Sequence, residues 1–292
     1  MLPDDFLLFL SGRLSTIESH PVKIDKSRPV AGGDINDAYL LMGNSRSWFV
    51  KTNNAKRYPG MFETEARGLQ ILEAAGSLKV PRVIESGNYQ SFSFLILEYL
   101  SSGSRKESYW RDLGQGLASL HRKTDHSFGL DHDNYIGSLP QSNRRKKSWV
   151  EFFIQERLEI QLQRAIDTGM AGQEDSRNFQ RLFNKLDSLF PVEPPSLLHG
   201  DLWGGNHMTG PHGEPVIIDP AVYYGHREMD LAMSRLFGGF QEEFYISYND
   251  HYPLEPGWRE RSDICNLYPL LVHANLFGQG YMGSVRSIVR RF

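Results

Sequence analysis

The sequence predicts an α+β protein of two lobes with a cleft between them: a small strand-rich lobe over residues 1–100 and a larger helix-rich lobe over residues 101–292. Three observations carry this reading. The first hundred residues fall into short runs of strand character bounded by turn formers. After Leu100 most of the chain follows helical spacing. Two short apolar runs interrupt those helices, and each leads into an aspartate.

The elements follow in order. "MLPDDFLLFLSGRL" reads as one amphipathic helix. Its apolar run, Phe6 to Leu10, is too short to span a membrane and follows acids, so neither a membrane anchor nor a signal peptide is expected. "DAYLLMG", a turn at Asn44-Ser45-Arg46, and "SWFVKTN" read as a β-hairpin. "FETEARGLQILEAAG" places Ala66, Leu69, Ile71, Leu72 and Ala75 close to helical spacing and ends at Gly76. "KVPRVIESG" and "SFSFLILEYL" read as two further strands. The lobe boundary falls near Leu100–Ser102, with "SSGS" as linker. "SYWRDLGQGLASLHRK" and "SWVEFFIQERLEIQLQRAIDTG" are helical, the second a single long helix ending at Gly169. "EDSRNFQRLFNKLDSLF" is one more helix, closed by Pro191. "SLLHG" and "PVIID" are short strands, and the chain from "REMDLAMSRLFGGF" onward is largely helical.

Composition narrows the function. The 292 residues carry a formal charge of -3, against the strongly basic balance of a nucleic-acid binder. The basic run Arg144 to Lys147 reads as a solvated loop. The one cysteine, Cys265, allows no intrachain disulfide and reads as a core residue, which fits a cytoplasmic protein. "GQGYMG", Gly278 to Gly283, matches a dinucleotide fingerprint in letters only. It follows a helical segment with no room for a βαβ unit, so its glycines read as helix-end or close-packing positions. No G-x-S-x-G elbow is present. His199, His207 and His212 have irregular spacing and no accompanying cysteines, which argues against zinc.

The chemistry concentrates in "SLLHGDLWGGNHM" and "VIIDPA". Asp201 follows a strand yet sits in a loop, where reacting groups are held and exposed. Asn206 lies five residues on and Asp219 thirteen beyond that. One carboxylate can take a hydroxyl's proton. An amide oxygen and a second carboxylate suit Mg²⁺ shared with phosphates. In protein kinases an Asp-x-x-x-x-Asn loop precedes an Asp-Phe-Gly aspartate. Asp201 and Asn206 keep that spacing, Asp219-Pro220-Ala221 stands in the later position, and His199-Gly200 replaces His-Arg. Asp201 and Asn206 alone could simply shape turns; Asp219 tips the balance toward chemistry.

The N-terminal half supplies matching parts. Gly32 and Gly33 precede the hairpin and can bring backbone N–H groups close to phosphate oxygens. Lys51 lies on the hairpin's second strand, and Glu65, fourteen residues later, can pair with it from the next helix. Glu98, Tyr99 and Leu100 fall at the lobe junction, where backbone groups could read an adenine edge.

These stretches resemble the fructosamine kinase (ketosamine-3-kinase) family, within the wider aminoglycoside-phosphotransferase and choline-kinase-like group. "GGDINDAY", "FVKTN", "MFETEARGL", "LILEYL", "LASLHR", "NYIGSLPQSN", "LLHGDLWGGN" and "IDPAVYYGHREMDLAM" carry the resemblance from about residue 30 to 283. It implies a protein-kinase-like fold and ATP-dependent phosphorylation of the sugar 3-hydroxyl of a ketosamine, on a small glycated amine or a glycated protein. Asp201 would be the catalytic base, and Asn206 and Asp219 would hold Mg²⁺. Lys51, placed by Glu65, would bind ATP together with Gly32, Gly33, Asn36, Glu98, Tyr99 and Leu100. Trp203 would shape the sugar pocket, and Asn134 and Tyr135 would line the acceptor side. Arg227 and Asp230 look like supports of the loop. Some relatives carry a redox-sensitive cysteine in the glycine loop; Asp34 stands here instead, so no such switch is expected. A monomer or weak dimer is expected. The competing readings are a kinase of another amine or aminoglycoside-like molecule and a non-catalytic nucleotide-binding regulator.

Overall fold

A five-stranded antiparallel sheet forms the front of the molecule, with strand order β1-β2-β3-β5-β4. The computed structural model describes residues 2–31, 35–44 and 46–292. Gly32, Gly33 and Asp34 lie outside the described residues, and with them the expectations for the glycine loop. The strands are β1 (Ile24–Val30), β2 (Asp37–Gly43), β3 (Ser47–Asn54), β4 (Val83–Tyr89) and β5 (Phe92–Glu98). Four of the five match the sequence reading. β1 was not expected: "IDKSRPV" is polar and contains Pro29, which an edge strand tolerates.

Side-chain alternation divides this sheet between two cores. Phe94 and Ile96 of β5, with Trp48 and Val50 of β3, face helix α1 (Asp4–Glu18) and its Phe6, Leu10 and Leu14. Leu95 and Leu97 point the other way, into a core shared with α2 (Met61–Ala75), α3 (Tyr109–His121) and parts of the back lobe. That second core runs from one lobe into the other. Lys51 shares its strand face with Phe49, which packs on this interlobe side. Strand period therefore aims the lysine at the cleft.

The back lobe has its own core of helices. A hairpin, β6 (Asn134–Ile136) and β7 (Leu139–Gln141), precedes a helical run from Trp149 to Asp167. That run is not one regular helix. Between α4 (Trp149–Phe152) and α5 (Glu159–Asp167) lies a π-helical turn, Phe153–Leu158, where the adjacent charged residues Glu156 and Arg157 are both buried. The next expected helix is also two: α6 (Gln173–Phe183) and α7 (Leu186–Leu189), parted where the Lys185 N–H bonds the Leu182 carbonyl in a tightened turn. Then come β8 (Ser196–Leu198), β9 (His207–Thr209), β10 (Pro215–Ile217) and β11 (Tyr223–Gly225), paired as β8 with β11 and β9 with β10. Helices α8 (Glu228–Leu236), α9 (Glu242–His251), α10 (Trp258–Cys265), α11 (Leu267–Phe277) and α12 (Met282–Val289) complete the chain.

Several smaller expectations are refined. "SSGS" is no free tether: the Gly103 N–H bonds the Gly210 carbonyl and the Lys106 N–H bonds the Gly213 carbonyl, docking the linker on the β9–β10 turn. Gly278 ends α11 with φ of 101°, but Gly280 and Gly283 have open space where a Cβ would sit, so the close-packing reading of those glycines fails. In the basic run, Arg144 pairs with Glu156, Arg145 with Asp125, and Lys146 with Glu151 and Glu156, as a solvated ion-paired loop would. Cys265 is buried. No described helix is long and apolar enough to cross a membrane.

Candidate active site

Between the lobes lies a cavity of about 1040 Å³. Every described residue expected at the site borders it. Lys51, Glu65 and Asn36 approach from the front lobe, and Glu98, Tyr99 and Leu100 form the edge where the lobes join. Asp201, Trp203, Asn206 and Asp219 approach from the back lobe, and Asn134 and Tyr135 from the β6–β7 hairpin.

At the centre Lys51 bridges the lobes. Its Nζ donates to Glu65 Oε1 at 2.7 Å and to Asp219 Oδ1 at 3.0 Å. The partners come from α2 and from the segment after β10, so the ion pair spans 168 residues of chain. Burial alone would push the ammonium toward deprotonation, but the carboxylates of Asp219 and Glu65 outweigh it and hold Lys51 charged, its pKa above the usual lysine range. Asp219 keeps an open face: its side chain is 45% exposed, against 9% for Lys51. Asp219 also stands in left-handed backbone, φ 56°, a costly conformation for a residue with a side chain and one that clusters at functional sites. The sequence put it at a strand end; β10 stops at Ile217, and the left-handed turn at Asp219 directs the carboxylate.

Asp201 and Asn206 form the second unit. Asn206 Nδ2 donates to the Asp201 carbonyl at 2.8 Å and to its Oδ2 at 3.0 Å. Burial, and then the charge of Asp219, push the Asp201 carboxyl up to about 7, while the Asn206 bond opposes them. A carboxyl poised near neutrality can exchange a proton with a substrate hydroxyl.

His199 ties these units together, a role the sequence did not disclose. Its Nε2 donates to the Ile218 carbonyl at 2.9 Å, and its Nδ1 accepts the Asp201 N–H at 3.3 Å. Burial lowers its pKa, keeping it neutral and able to serve as donor and acceptor at once. The Ile218 N–H returns a bond to the Asn206 carbonyl. Asp230 of α8 anchors the loop from beneath, accepting the His199 and Gly200 N–H groups at 2.8 and 2.9 Å. His121 Nε2 meets the same carboxylate at 3.1 Å, and Tyr248 meets His121 Nδ1 at 2.8 Å. His121 is the histidine of "LASLHR", and its place in a helix with no neighbouring acid hid the partnership. Arg227 was expected to support this loop too. Instead it pairs with Glu193 at 2.7 Å and bonds the Tyr252 and Pro253 carbonyls, bracing a different part of the lobe.

The glycines of the motif have separate tasks. A Cβ on Gly200, which has φ of 84°, would stand 2.1 Å from the Ala221 carbonyl oxygen. One on Gly205 would stand 2.4 Å from the Trp203 ring. Gly205 thereby lets the indole fold back over the loop. Trp203 remains 38% exposed and meets Phe237 edge-on at 6.1 Å. Phe237 leads to His273 at 4.9 Å, which lies 5.5 Å from Phe277 and 5.2 Å from Tyr281. This aromatic rim comes from α8, α11 and the turn beyond it. Sequence reasoning found only Trp203, because helical aromatics read as core.

Asn36 accepts a bond from Asn53 Nδ2 at 3.0 Å. Asn134 and Tyr135 line the cavity, yet their polar atoms serve the protein: Asn134 Nδ2 donates to the Val222 carbonyl at 2.8 Å, and the Tyr135 hydroxyl donates to the Pro59 carbonyl at 2.9 Å.

The donor set suits a small hard cation shared with phosphates. With its Nδ2 turned to Asp201, Asn206 keeps its amide oxygen for a cation, and Asp219 offers a carboxylate. Among the described residues no cluster of three or more His, Cys, Asp or Glu side chains forms a self-sufficient metal cage. Mg²⁺ bound through substrate phosphates needs only one or two protein oxygens.

Comparison with known proteins shows what the chain as a whole is similar to. The family model for fructosamine kinase matches residues 10–292. The probable ketoamine kinase of Synechocystis sp. is 39% identical over 285 residues, covering 97% of this chain and 95% of that protein. The chloroplastic protein-ribulosamine 3-kinase of Arabidopsis thaliana is 39% identical, covering 93% of this chain and 84% of that one. A crystal structure from Haemophilus somnus, provisionally named fructosamine-3-kinase, superposes with a TM-score of 0.88 at 32% identity, over 97% of this chain and 96% of that one. The aminoglycoside phosphotransferase APH(4)-Ia shares the fold alone, at a TM-score of 0.61 and 15% identity over 97% of this chain and 98% of that one. The chain belongs to the fructosamine kinase family.

Proposed function

We propose that this protein transfers the γ-phosphoryl group of ATP to the sugar 3-hydroxyl of a ketosamine. The observation that carries the reading is Lys51, held between Glu65 and Asp219 in the cavity that also presents the Asp201–Asn206 pair. A binding module needs the cation but not a partly buried carboxyl poised near neutrality.

In the proposed reaction the acceptor oxygen attacks the γ-phosphorus, the bond to the β–γ bridging oxygen breaks, and ADP leaves. The hydroxyl proton passes to Asp201. Lys51 neutralises phosphate charge from the front lobe, with Glu65 fixing its position. Asn206 and Asp219 would hold Mg²⁺, which when bound supplies further charge neutralisation on the phosphates. His199 and Asp230 keep Asp201 in register, which matters because phosphoryl transfer depends on positioning more than on covalent chemistry. The half-exposed Tyr99 sits at the edge of the nucleotide side, and the Trp203 rim covers the acceptor side.

The test is phosphate transfer from labelled ATP to a panel of fructose- and ribulose-derived amines, the parent sugars and aminoglycosides. Transfer confined to the ketosamines supports the reading. Transfer to aminoglycosides alone, or nucleotide binding with no transfer, refutes it.

A further inference from the structure

The β6–β7 hairpin is joined to both segments whose carboxylates hold Lys51. On one side it grips the chain just past Asp219. Asn134 Nδ2 donates to the Val222 carbonyl at 2.8 Å, and Gln141 Nε2 donates to the Ala221 carbonyl at 3.2 Å. This grip is braced from behind. Asn134 Oδ1 accepts from Gln141 at 2.8 Å and from Asn143 at 3.0 Å, while Gln141 Oε1 accepts the Tyr268 hydroxyl at 2.6 Å. All four side chains are buried, so these bonds form in a setting where an unpaired partner is costly.

On the other side the hairpin reaches α2. The Tyr135 hydroxyl donates to the Pro59 carbonyl at 2.9 Å, across 76 residues of chain. Pro59 immediately precedes Gly60, whose left-handed backbone opens the helix that carries Glu65. The two gripped segments also touch: a Cβ on Gly68 of α2 would lie 3.3 Å from Val222. The hairpin thus spans the entry of α2 and the Asp219 segment, and Lys51 joins the carboxylates those segments present.

We infer that this hairpin is a strut that fixes α2 against the Asp219 segment, with Tyr135 a positioning residue for the Lys51–Glu65–Asp219 unit and not an acceptor contact. The strut consists of hydrogen bonds between the chain's own residues, and both of its ends lead to the Lys51–Glu65–Asp219 unit. This rests on the reading of Lys51 as a phosphate-binding group.

Tyr135→Phe removes one oxygen and leaves the ring in the cavity wall. Losing one hydrogen bond that orders the nucleotide side predicts a rise of about fivefold in KM for ATP and in Kd for a non-hydrolysable ATP analogue. KM for the acceptor is expected to stay unchanged. In a Glu65→Gln background the same substitution is expected to add little, because both act on one ion-paired unit. Unchanged analogue affinity with a raised acceptor KM overturns the inference and returns Tyr135 to the acceptor side. Full additivity with Glu65→Gln overturns it as well. A wild-type chain that binds no analogue removes the proposed function itself, whereas wild-type and Tyr135→Phe chains that bind it equally remove the strut alone.

Discussion

The two sides of the cavity are built differently. The side proposed for the phosphates is charged and heavily tied. Lys51, Glu65, Asp219, Asn206 and Asp201 are linked directly or through shared hydrogen bonds, with His199 and Asp230 beneath. The side proposed for the acceptor is a rim of rings, Trp203, Phe237, His273, Phe277 and Tyr281, joined by aromatic contacts. Breaking the first should cost turnover or nucleotide affinity in large steps, since each loss leaves a charged or polar partner unmatched in a mostly enclosed cluster. Breaking the second should shift acceptor affinity in small steps, since ring contacts are individually weak. On the proposed reading, fixed charges carry the reaction and an adaptable surface chooses the acceptor.

The largest effect is expected at Asp201. Asp201→Asn keeps the shape and removes the base, so turnover should fall by about 10²–10⁴-fold. Affinity for an ATP analogue, measured calorimetrically, should stay close to wild type. The same substitution has a stability signature. Asp201 in the folded chain titrates near 7, above the ordinary aspartate range, so the folded state holds that proton more tightly than the unfolded chain. The ionised carboxylate therefore weakens the fold above about pH 7, and this penalty fades as pH falls toward 4. Asp201→Asn should raise the melting temperature at pH 8 and lose that advantage near pH 4.

Lys51→Met comes next, on the phosphate side. It strands two carboxylates around a buried site, for which a cost of about 3–5 kcal/mol in stability is typical, with Asp219's exposure placing the loss at the lower end. Denaturant unfolding measures this, and nucleotide affinity should fall with it. In wild type, kcat/KM should drop about tenfold per pH unit below about 7, as Asp201 takes up its proton, and level off above. A flat profile from pH 5 to 8 would count against Asp201 as the base.

The smaller effects belong to the acceptor side. Gly205→Ala drives a methyl group into the Trp203 ring and should raise acceptor KM severalfold by displacing the indole, leaving KM for ATP alone. Phe237→Ala removes the ring contacts with Trp203 and His273; the Trp203 contact, worth about 0.5–1.5 kcal/mol, should set the effect, a rise in acceptor KM of about two- to tenfold. If either change acted equally on ATP, the division between the two sides would fail.

The same division explains how much the sequence revealed. The phosphate side was legible because its groups sit on loops and strand ends at short, fixed spacing, as in Asp201 to Asn206, and because Lys51 and Glu65 lie within one hairpin-helix unit. What ties those groups together was legible only in part. Asp230 was expected to support the loop through the family resemblance, and it does, whereas His121, in a separate helix 109 residues away, reads as an ordinary helical residue. The rim was hidden for a related reason: Phe237, His273 and Phe277 lie in or beside helical segments, and only the fold, which sets Phe237 against His273 of α11, shows that they border a cavity. β1 was missed because an edge strand can be polar and contain proline. The breaks in the two long helices were missed because an apolar period alone registers neither the π-helical turn at Phe153–Leu158 nor the tightened turn at Lys185.

The most direct test of the account is to let the enzyme phosphorylate a fructose-derived amine with ATP and assign the ester by phosphorus–proton correlation NMR. The account predicts one product, with phosphate on the sugar 3-oxygen, formed by wild type and not by Asp201→Asn. Phosphate on a different oxygen, or the same product at near-normal rate from Asp201→Asn, would contradict it.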